Sequence, residues 1–279
     1  MIIATYNLWN SDEGMPDRES HIIDEIRKAS ADIMCLQEVR DEALAMRIAE
    51  YAGYPNCFFD HYPGEAEGLC ILGRLQFDKY GSVMGSANAV YGLFNCENKR
   101  IGVINAHLPY DSEAERERQI VCIVNAANVL DTDALYLAGD LNCGDTSDVQ
   151  RFLKGDCLLG HCEAKPRWFD LAMAYAELTS TSAEPTLNFR RNPRFRNNTI
   201  ETNARVDCIW LRNTYPHGFP ELKNCMLFGQ HVYEDIALAA SDHYGGAVEI
   251  EQTNGEGLAE NAAGPFSVEN HFFFLYYRA

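Results

Sequence analysis

Short apolar runs of strand length recur along the chain, and one after another they stop on a side chain bearing oxygen or nitrogen. IIATYNLW carries Asn7, DIMCLQE ends on Glu38, GVINAH ends on His107, and ALYLAGDLN closes with Asp140 and Asn142. RVDCIW contains Asp207, and SDHYG places Asp242 and His243 just before the run GAVEIE. Short apolar runs bounded by turn signals read as buried strands. A carboxylate at the end of such a strand must be paired or hold a metal, because burying it alone is costly. A single Asn or His has a simpler use, satisfying a neighbouring backbone group. The ordered set is harder to assign to chance. Ligands of layered α/β folds bind outside strand ends, so polar strand ends can converge on one site.

Helical patterns fall between the strands. DRESHIIDEIRKAS has Ile22, Ile23 and Ile26 at helical spacing with Asp17 as its N-cap, and DEALAMRIAEYAG is closed by Gly53. SEAERERQIVCIVNAANVL is charged early and apolar at Ile120, Ile123, Val124 and Ala127, the clearest helix of the chain. GLCILGR reads as a further strand. Interspersed strands and helices with hairpin-like neighbours favour an α/β sandwich of mixed sheets over a purely parallel doubly wound sheet. No repeat or low-complexity linker divides the chain, so one domain over residues 1–279 is expected. Its core is residues 1–250. Residues 251–279 comprise a small, polar, acidic loop and an apolar ending, FFFLYYR, that returns to pack.

The stretch AGDLNCGD allows two uses. In a strand, Asp140 and Asn142 point to the same face and present two polar heads together. Asp, Asn and Gly also dominate turns. Gly139 lets the backbone approach closely, and Gly144 with Asp145 reads as the turn into the next helix.

The net charge of -18 disfavours general binding of duplex nucleic acid, which rests on phosphate neutralisation. An acidic chain that handles phosphates needs metal ions, a local arginine cluster, or both. The segment TLNFRRNPRFRNNTIETNAR supplies such a cluster: Arg190, Arg191, Arg194, Arg196 and Arg205 stand against one acid, Glu201, with Phe189 and Phe195 interleaved. Arginine pairs with phosphate bidentately, and aromatic faces accept unpaired bases. The alternative is a solvated loop whose arginines pair with the acidic surface. The ten cysteines form no CxxC pair, and several lie in apolar runs as small hydrophobes. With no signal-peptide pattern at MIIATYNLWN and no transmembrane run, a reducing, cytoplasmic setting is expected. A Ser-His-Asp hydrolase is excluded by the absence of a GxSxG elbow.

Taken together, TYNLW, LQEV, EGLCILGR, NAHLPY, AGDLN, RVDCIW and SDHYG resemble, in order and over residues 1–250, the endonuclease/exonuclease/phosphatase family of metal-dependent phosphoesterases. The resemblance implies a four-layered α/β sandwich, two mixed β-sheets flanked by helices. It implies Mg²⁺, with Mn²⁺ as a substitute, held by Glu38 with Asn7 beside it and Asp242 contributing directly or through water. Asp140 would orient or deprotonate the attacking water and Asn142 would hold a phosphate oxygen. His243 would donate to the phosphoryl group, oriented by Asp207. On the leaving-group side the work falls to His107 or Tyr110. Arg190, Arg191, Arg194 and Arg196 lie where the family builds substrate contacts. HLPYDSEAERERQ followed by GDLN, RVDCIW and SDHYG is most similar to the tyrosyl-DNA phosphodiesterase and sphingomyelinase branches, and AERERQ resembles the former. The implied activity is hydrolysis of a phosphodiester in a nucleic-acid end, single-stranded or end-modified, or in a small molecule. Alternatives are a sphingomyelinase-like or inositol-phosphate phosphatase activity and, less favoured, a non-catalytic binding protein. No protein partner is implied.

Overall fold

The computed structural model describes residues 1–85, 88–96 and 98–252. In chain order it forms β1 (Ile2–Asn7), α1 (Asp17–Ala29), β2 (Ile33–Val39), α2 (Glu42–Ala52), β3 (Asn56–His61), β4 (Gly68–Gly73), β5 (Phe77–Ser82), β6 (Ala89–Cys96) and β7 (Lys99–His107). There follow α3 (Glu113–Ala127), β8 (Ala134–Asp140), α4 (Asp148–Lys154), β9 (Trp168–Asp170), α5 (Leu171–Thr179), β10 (Asp207–Arg212), β11 (Glu221–Phe228), β12 (Val232–Tyr233), β13 (Leu238–Ala239) and β14 (Gly245–Glu251). Two six-stranded sheets, β11-β14-β1-β2-β4-β3 and β5-β6-β7-β8-β10-β9, carry the core, with β12 and β13 as a small separate ribbon.

Both large sheets are mixed for the same reason. Each has one parallel pair at its centre, β1 with β2 and β7 with β8, while the other neighbours run antiparallel. A parallel pair needs a long crossover, and α1 and α3 supply one each. The ends of β1, β2, β7 and β8 therefore gather four chain segments on one rim of the molecule.

Three apolar clusters define the layers. Ile3, Ile33, Cys35 and Ile71 from the first sheet meet Val103, Tyr136, Ala138 and Ile209 from the second. Ile22, Ile26, Leu44 and Ile48 lay α1 and α2 on the outside of the first sheet, and Ile120, Ile123, Val124 and Phe152 lay α3 and α4 on the second. The helix–sheet–sheet–helix order is the expected sandwich.

Local chemistry sets the helix ends. Ser112 caps α3 by accepting from the Glu115 amide, Asp41 caps α2 by accepting from Leu44, and Gly53 closes α2 at φ 78°. Asp17 is not a cap. It is the first helical residue of α1, behind Pro16, where its charge sits on the positive end of the helix.

A buried polar clamp joins the sheets just below the rim. Gln37 Nε2 donates to Asn105 Oδ1 (2.7 Å) and to Thr5 Oγ1 (3.0 Å), while Asn105 Nδ2 donates to the Leu36 and Cys70 carbonyls (2.9 Å each). All three side chains are fully buried. Because Gln37 precedes Glu38 and Asn105 lies two residues before His107, the clamp fixes the spacing of the polar residues above it.

No helix among the described residues is long and apolar enough to cross a membrane. The loop and apolar ending expected over 251–279 lie, beyond Gln252, outside the described residues.

Candidate active site

Strand register alone assembles the centre of the site. His107 pairs with Asp140 across the parallel β7–β8 step, and Asp140 pairs with Asp207 across the antiparallel β8–β10 step. From the other sheet, Asn7 ends β1 and Glu38 lies near the end of β2. His243 arrives just before β14, bridged to Leu187. Seven of the residues singled out from the sequence thus stand on one rim: Asn7, Glu38, His107, Asp140, Asp207, Asp242 and His243.

Asp140 is the hub. It is 1 % exposed, and its Oδ2 accepts from Asn7 Nδ2 at 3.0 Å, while Asn7 Nδ2 also donates to Glu38 Oε1 at 3.0 Å. One amide thereby holds a carboxylate from each sheet. The Asn7 oxygen accepts from the Trp9 amide at 2.9 Å, and Glu38 Oε2 accepts from the Asn10 amide at 2.9 Å. His107 Nε2 lies 3.7 Å from Asp140 Oδ2 and 3.9 Å from Glu38 Oε1.

On the far side of Asp140, His243 Nδ1 is 2.9 Å from Asp207 Oδ2 and 3.9 Å from Asp140 Oδ2. Burial acts to neutralise His243, but the Asp207 and Asp140 charges outweigh it and raise the imidazole well above its ordinary range. Burial pushes Asp207 upward in turn, with His243 opposing it. The Asp207 backbone amide is anchored on Thr186 Oγ1 at 3.1 Å. Asp242 is pushed up to about 6, chiefly by burial and, among nearby charges, raised by Glu38 against the pull of His243 and Arg194. Asn192 Nδ2 fixes this turn by donating to the Ser241 and Asp242 carbonyls.

Asn142 departs from the strand geometry read from the sequence. β8 ends at Asp140, and Asn142 takes φ 48°, so the two do not share a strand face. The Asn142 amide instead donates to Asp140 Oδ1 at 2.8 Å, a local side-chain turn, and its Nδ2 donates to the Leu108 carbonyl at 2.8 Å. Site and turn are one structure. Trp9 and Glu38, both at φ 54°, join Asn142 in the left-handed region, the backbone strain that concentrates at functional sites. Gly144 and Asp145 do form the turn into α4, closed by the Ser147 amide donating to the Gly144 carbonyl at 3.0 Å; the Asp145 side chain also pairs with Arg205, and Ser147 provides the α4 cap.

The arginines of the 186–205 segment are not equivalent. Arg190 donates to the Asn198 and Glu201 carbonyls and braces its own loop. Buried Arg205 pairs with Asp170 and Asp145. Arg194 stands over the Trp9 ring at 5.2 Å, 3.6 Å from Glu13, and its charge acts on Asp242. Arg191 and Arg196 are exposed. Tyr110 is 82 % exposed, so His107 and not Tyr110 is the group set against the carboxylates.

Two supporting residues are not legible in the sequence. Arg18 is fully buried and donates to the carbonyls of Leu8, Trp9, Ser11, Glu13 and Ala240, which orders the loop after β1 against the segment leading to His243. The Tyr62 hydroxyl is 2.7 Å from His107 Nδ1. With Nε2 facing two carboxylates, Nε2 carries the proton and Nδ1 accepts from Tyr62. We predict that Tyr62→Phe lowers turnover by about tenfold, the worth of one hydrogen bond, with little change in melting temperature. Steady-state kinetics on the folded variant check this, and unchanged turnover would contradict the role. An aromatic before a Pro-Gly turn carries no sequence signal for such a role.

Asp140, Asp207 and His243 bring ligand atoms within 4.8 Å of one another, a buried group able to hold a metal ion. Two stacked mixed sheets with Glu, Asp and His gathered at their strand ends define a hydrolase of the phosphoesterase class. The chain belongs to the endonuclease/exonuclease/phosphatase family, whose sequence model matches residues 4–243. Among solved structures, a humanized D. rerio TDP2 is similar at 15 % identity and TM-score 0.72, over 90 % of this chain and 99 % of that one. A D. rerio TDP2 complexed with single strand DNA product matches at 15 % identity and TM-score 0.70, over 90 % and 99 %. An endonuclease/exonuclease/phosphatase family protein from Bacteroides thetaiotaomicron matches at 17 % identity and TM-score 0.66, over 90 % and 94 %. No curated protein matches by sequence.

Proposed function

We propose that this chain is a Mg²⁺-dependent phosphodiesterase acting on a nucleic-acid end, single-stranded or end-modified, or on a small phosphodiester. The observation that carries the reading is the placement of Asp140 between two histidines, 3.7 Å from His107 and 3.9 Å from His243, with Asp207 bonded behind the latter. Hydrolysis of a phosphodiester needs an aligned water, a stabilised phosphoryl group and a neutralised leaving oxygen, and these groups divide that work.

The donor set fits a hard cation. Glu38 and Asp242 offer oxygen, Asn7 stands beside them holding the Glu38 carboxylate through its Nδ2, and the upward push on Asp242 from burial and from Glu38 is what a shared cation would relieve. A nitrogen-containing set built on His243 fits Mg²⁺ less well, since its Nδ1 is already engaged by Asp207. When bound, Mg²⁺ supplies charge neutralisation at the phosphate oxygens and the leaving oxygen. Asp140, held by Asn7, accepts the proton of the attacking water. His243, kept protonated by Asp207, donates to a phosphoryl oxygen, following the logic of a buried Asp orienting a catalytic His. Asn142 contributes its second N–H to another oxygen. His107, held by Tyr62, faces the leaving group. Arg194, Arg191 and Arg196 with exposed Tyr110 are the substrate contacts assigned here, and Arg190 shapes the loop that presents them.

The TDP2 complexed with single strand DNA product supports a strand end over a duplex, as does the net charge of -18. Free thiols at all ten cysteines favour a reducing, cytoplasmic setting. The test is a screen of the purified chain with Mg²⁺ or Mn²⁺ against bis-p-nitrophenyl phosphate, single-stranded and duplex DNA, 5′-phosphotyrosyl DNA, sphingomyelin and inositol phosphates. Turnover of the generic diester and of a DNA end, abolished by EDTA, is the expected result. Activity that survives EDTA would refute the metal mechanism, and preference for sphingomyelin or inositol phosphates would move the substrate class.

A further inference from the structure

Behind the Asp207–His243 pair lies a cavity of about 260 Å³, lined by α5, by β10 of one sheet and by β11 and β14 of the other. Its walls are Ala176 of α5, Ile209 of β10, Met226 of β11 and Val248 of β14, with Ser182 and Glu184 exposed at its mouth. Asp207 reaches this wall together with Thr186, which anchors its amide, and Arg205 stands beside them.

Two polar atoms of these wall residues are buried without a partner. Asp207 Oδ2 is bonded to His243 and the Thr186 hydroxyl on the same wall also acts on this carboxylate, while Asp207 Oδ1 makes no hydrogen bond of ordinary geometry; Arg205 uses its terminal nitrogens on Asp170 and Asp145, but its Nε has none. Both residues are over nine-tenths buried. An orphaned acceptor and an orphaned donor in a mostly apolar chamber, with Thr186 beside them and Thr181 and Ser182 toward its mouth, call for an occupant with one donor, one acceptor and an apolar body. A charged occupant is disfavoured, because Arg205 is already balanced by two carboxylates and an added ion would lose its hydration. The volume is ample, since an engineered cavity of about 150 Å³ binds benzene.

We infer that this cavity is a binding site for a small neutral molecule, an aryl or alkyl primary amide or alcohol, whose polar end bonds Asp207 Oδ1 and Arg205 Nε. An occupant there touches the back of the carboxylate whose front holds His243, so binding is felt at the catalytic rim without blocking it. The site stands apart from the phosphodiesterase reading, because binding is measurable without turnover.

The experiment uses the full chain, with benzamide as the probe and toluene as a body of similar shape lacking the polar end. Binding is followed by calorimetry and by methyl NMR of Met226, and the His243 ring resonances are recorded alongside. Benzamide should bind, shift Met226 and His243 together, and exceed toluene by at least about tenfold, or about 1.4 kcal/mol. Ala176→Phe, which fills the chamber, should weaken benzamide by at least about tenfold; Ala172→Leu on the same helix is a milder variant should the first fail to fold. Equal affinity for toluene, binding unaffected by both fillings, a Met226 shift with His243 unmoved, or a chamber holding only ordered water would each overturn the proposal.

Discussion

His243→Ala is expected to lower turnover by about 10²- to 10⁴-fold, the range for loss of a positioned proton donor, and Glu38→Ala to lower it at least as far. The two losses differ in kind. Glu38 is assigned to the cation, so its variant should need much more Mg²⁺ for half-activation, whereas the His243 variant should keep the wild-type Mg²⁺ curve with a lower ceiling. The fold should survive both. Glu38 is half-buried near a strand end, and removing His243 leaves Asp207, already pushed upward by burial, free to take up a proton.

The His243 assignment also fixes the pH behaviour. Its folded-state pKa is raised, with the Asp207 and Asp140 charges overcoming burial. A raised pKa keeps the imidazolium at every pH below it, so donation persists through neutrality and fails on the alkaline side. The stability that this protonation contributes is fully present below the ordinary histidine pKa and is lost as pH rises through the folded value. Near-normal turnover in either folded variant, or equal Mg²⁺ dependence in both, would contradict the division of roles.

What can be read from the sequence follows the burial of each strand. β1, β2, β4, β7, β8, β10 and β14 lie in sheet interiors, carry near-continuous apolar runs, and stand out as strands. β3, β5, β9 and β11 are the four sheet edges, where NCFFDH, FDKYGS and ELKNCMLF mix polar and apolar residues because one side faces water. β6 is interior yet interrupted by Gly92, and its run is equally hard to see.

The site divides along the same line. Residues that end buried strands are conspicuous because an acid there has no bland use. Tyr62, Arg18, Gln37 and Asn105 are not, since each contributes through a partner distant in sequence. The separation is 45 residues for Tyr62 and His107, 68 for Gln37 and Asn105, and 222 for Arg18 and Ala240. The Asp140–Asn142 pair shows a further limit. Residue types fix the polar pair, but only the backbone turn at Asn142 reveals that its amide faces Asp140 and not a shared strand surface.

Gly139→Ala is expected to destabilise the chain by about 3–5 kcal/mol, the sum of an unfavourable backbone and a forced clash in a packed sheet. Gly139 has φ 150°, and a Cβ there would stand 1.9 Å from the Ala106 carbonyl oxygen and 2.8 Å from its carbon. The obstacle is backbone, so no side chain can swing away. Gly139 also sits mid-sheet, paired with Ala106 of β7 and Cys208 of β10. Relief would pull β8 from both neighbours at the step that sets His107 against Asp140 and Asp140 against Asp207. Turnover should therefore fall further than the folded fraction alone accounts for. Gly144→Ala, a few residues on, is the control: a methyl group there would meet nothing within 4 Å, and a change within about 0.5 kcal/mol is expected. Thermal unfolding of both variants decides the matter. For a chain of this size the Gly139 variant should melt about 10 °C lower, and a melting temperature equal to that of the Gly144 variant would show that the β7–β8 step tolerates a side chain where the geometry leaves no room for one.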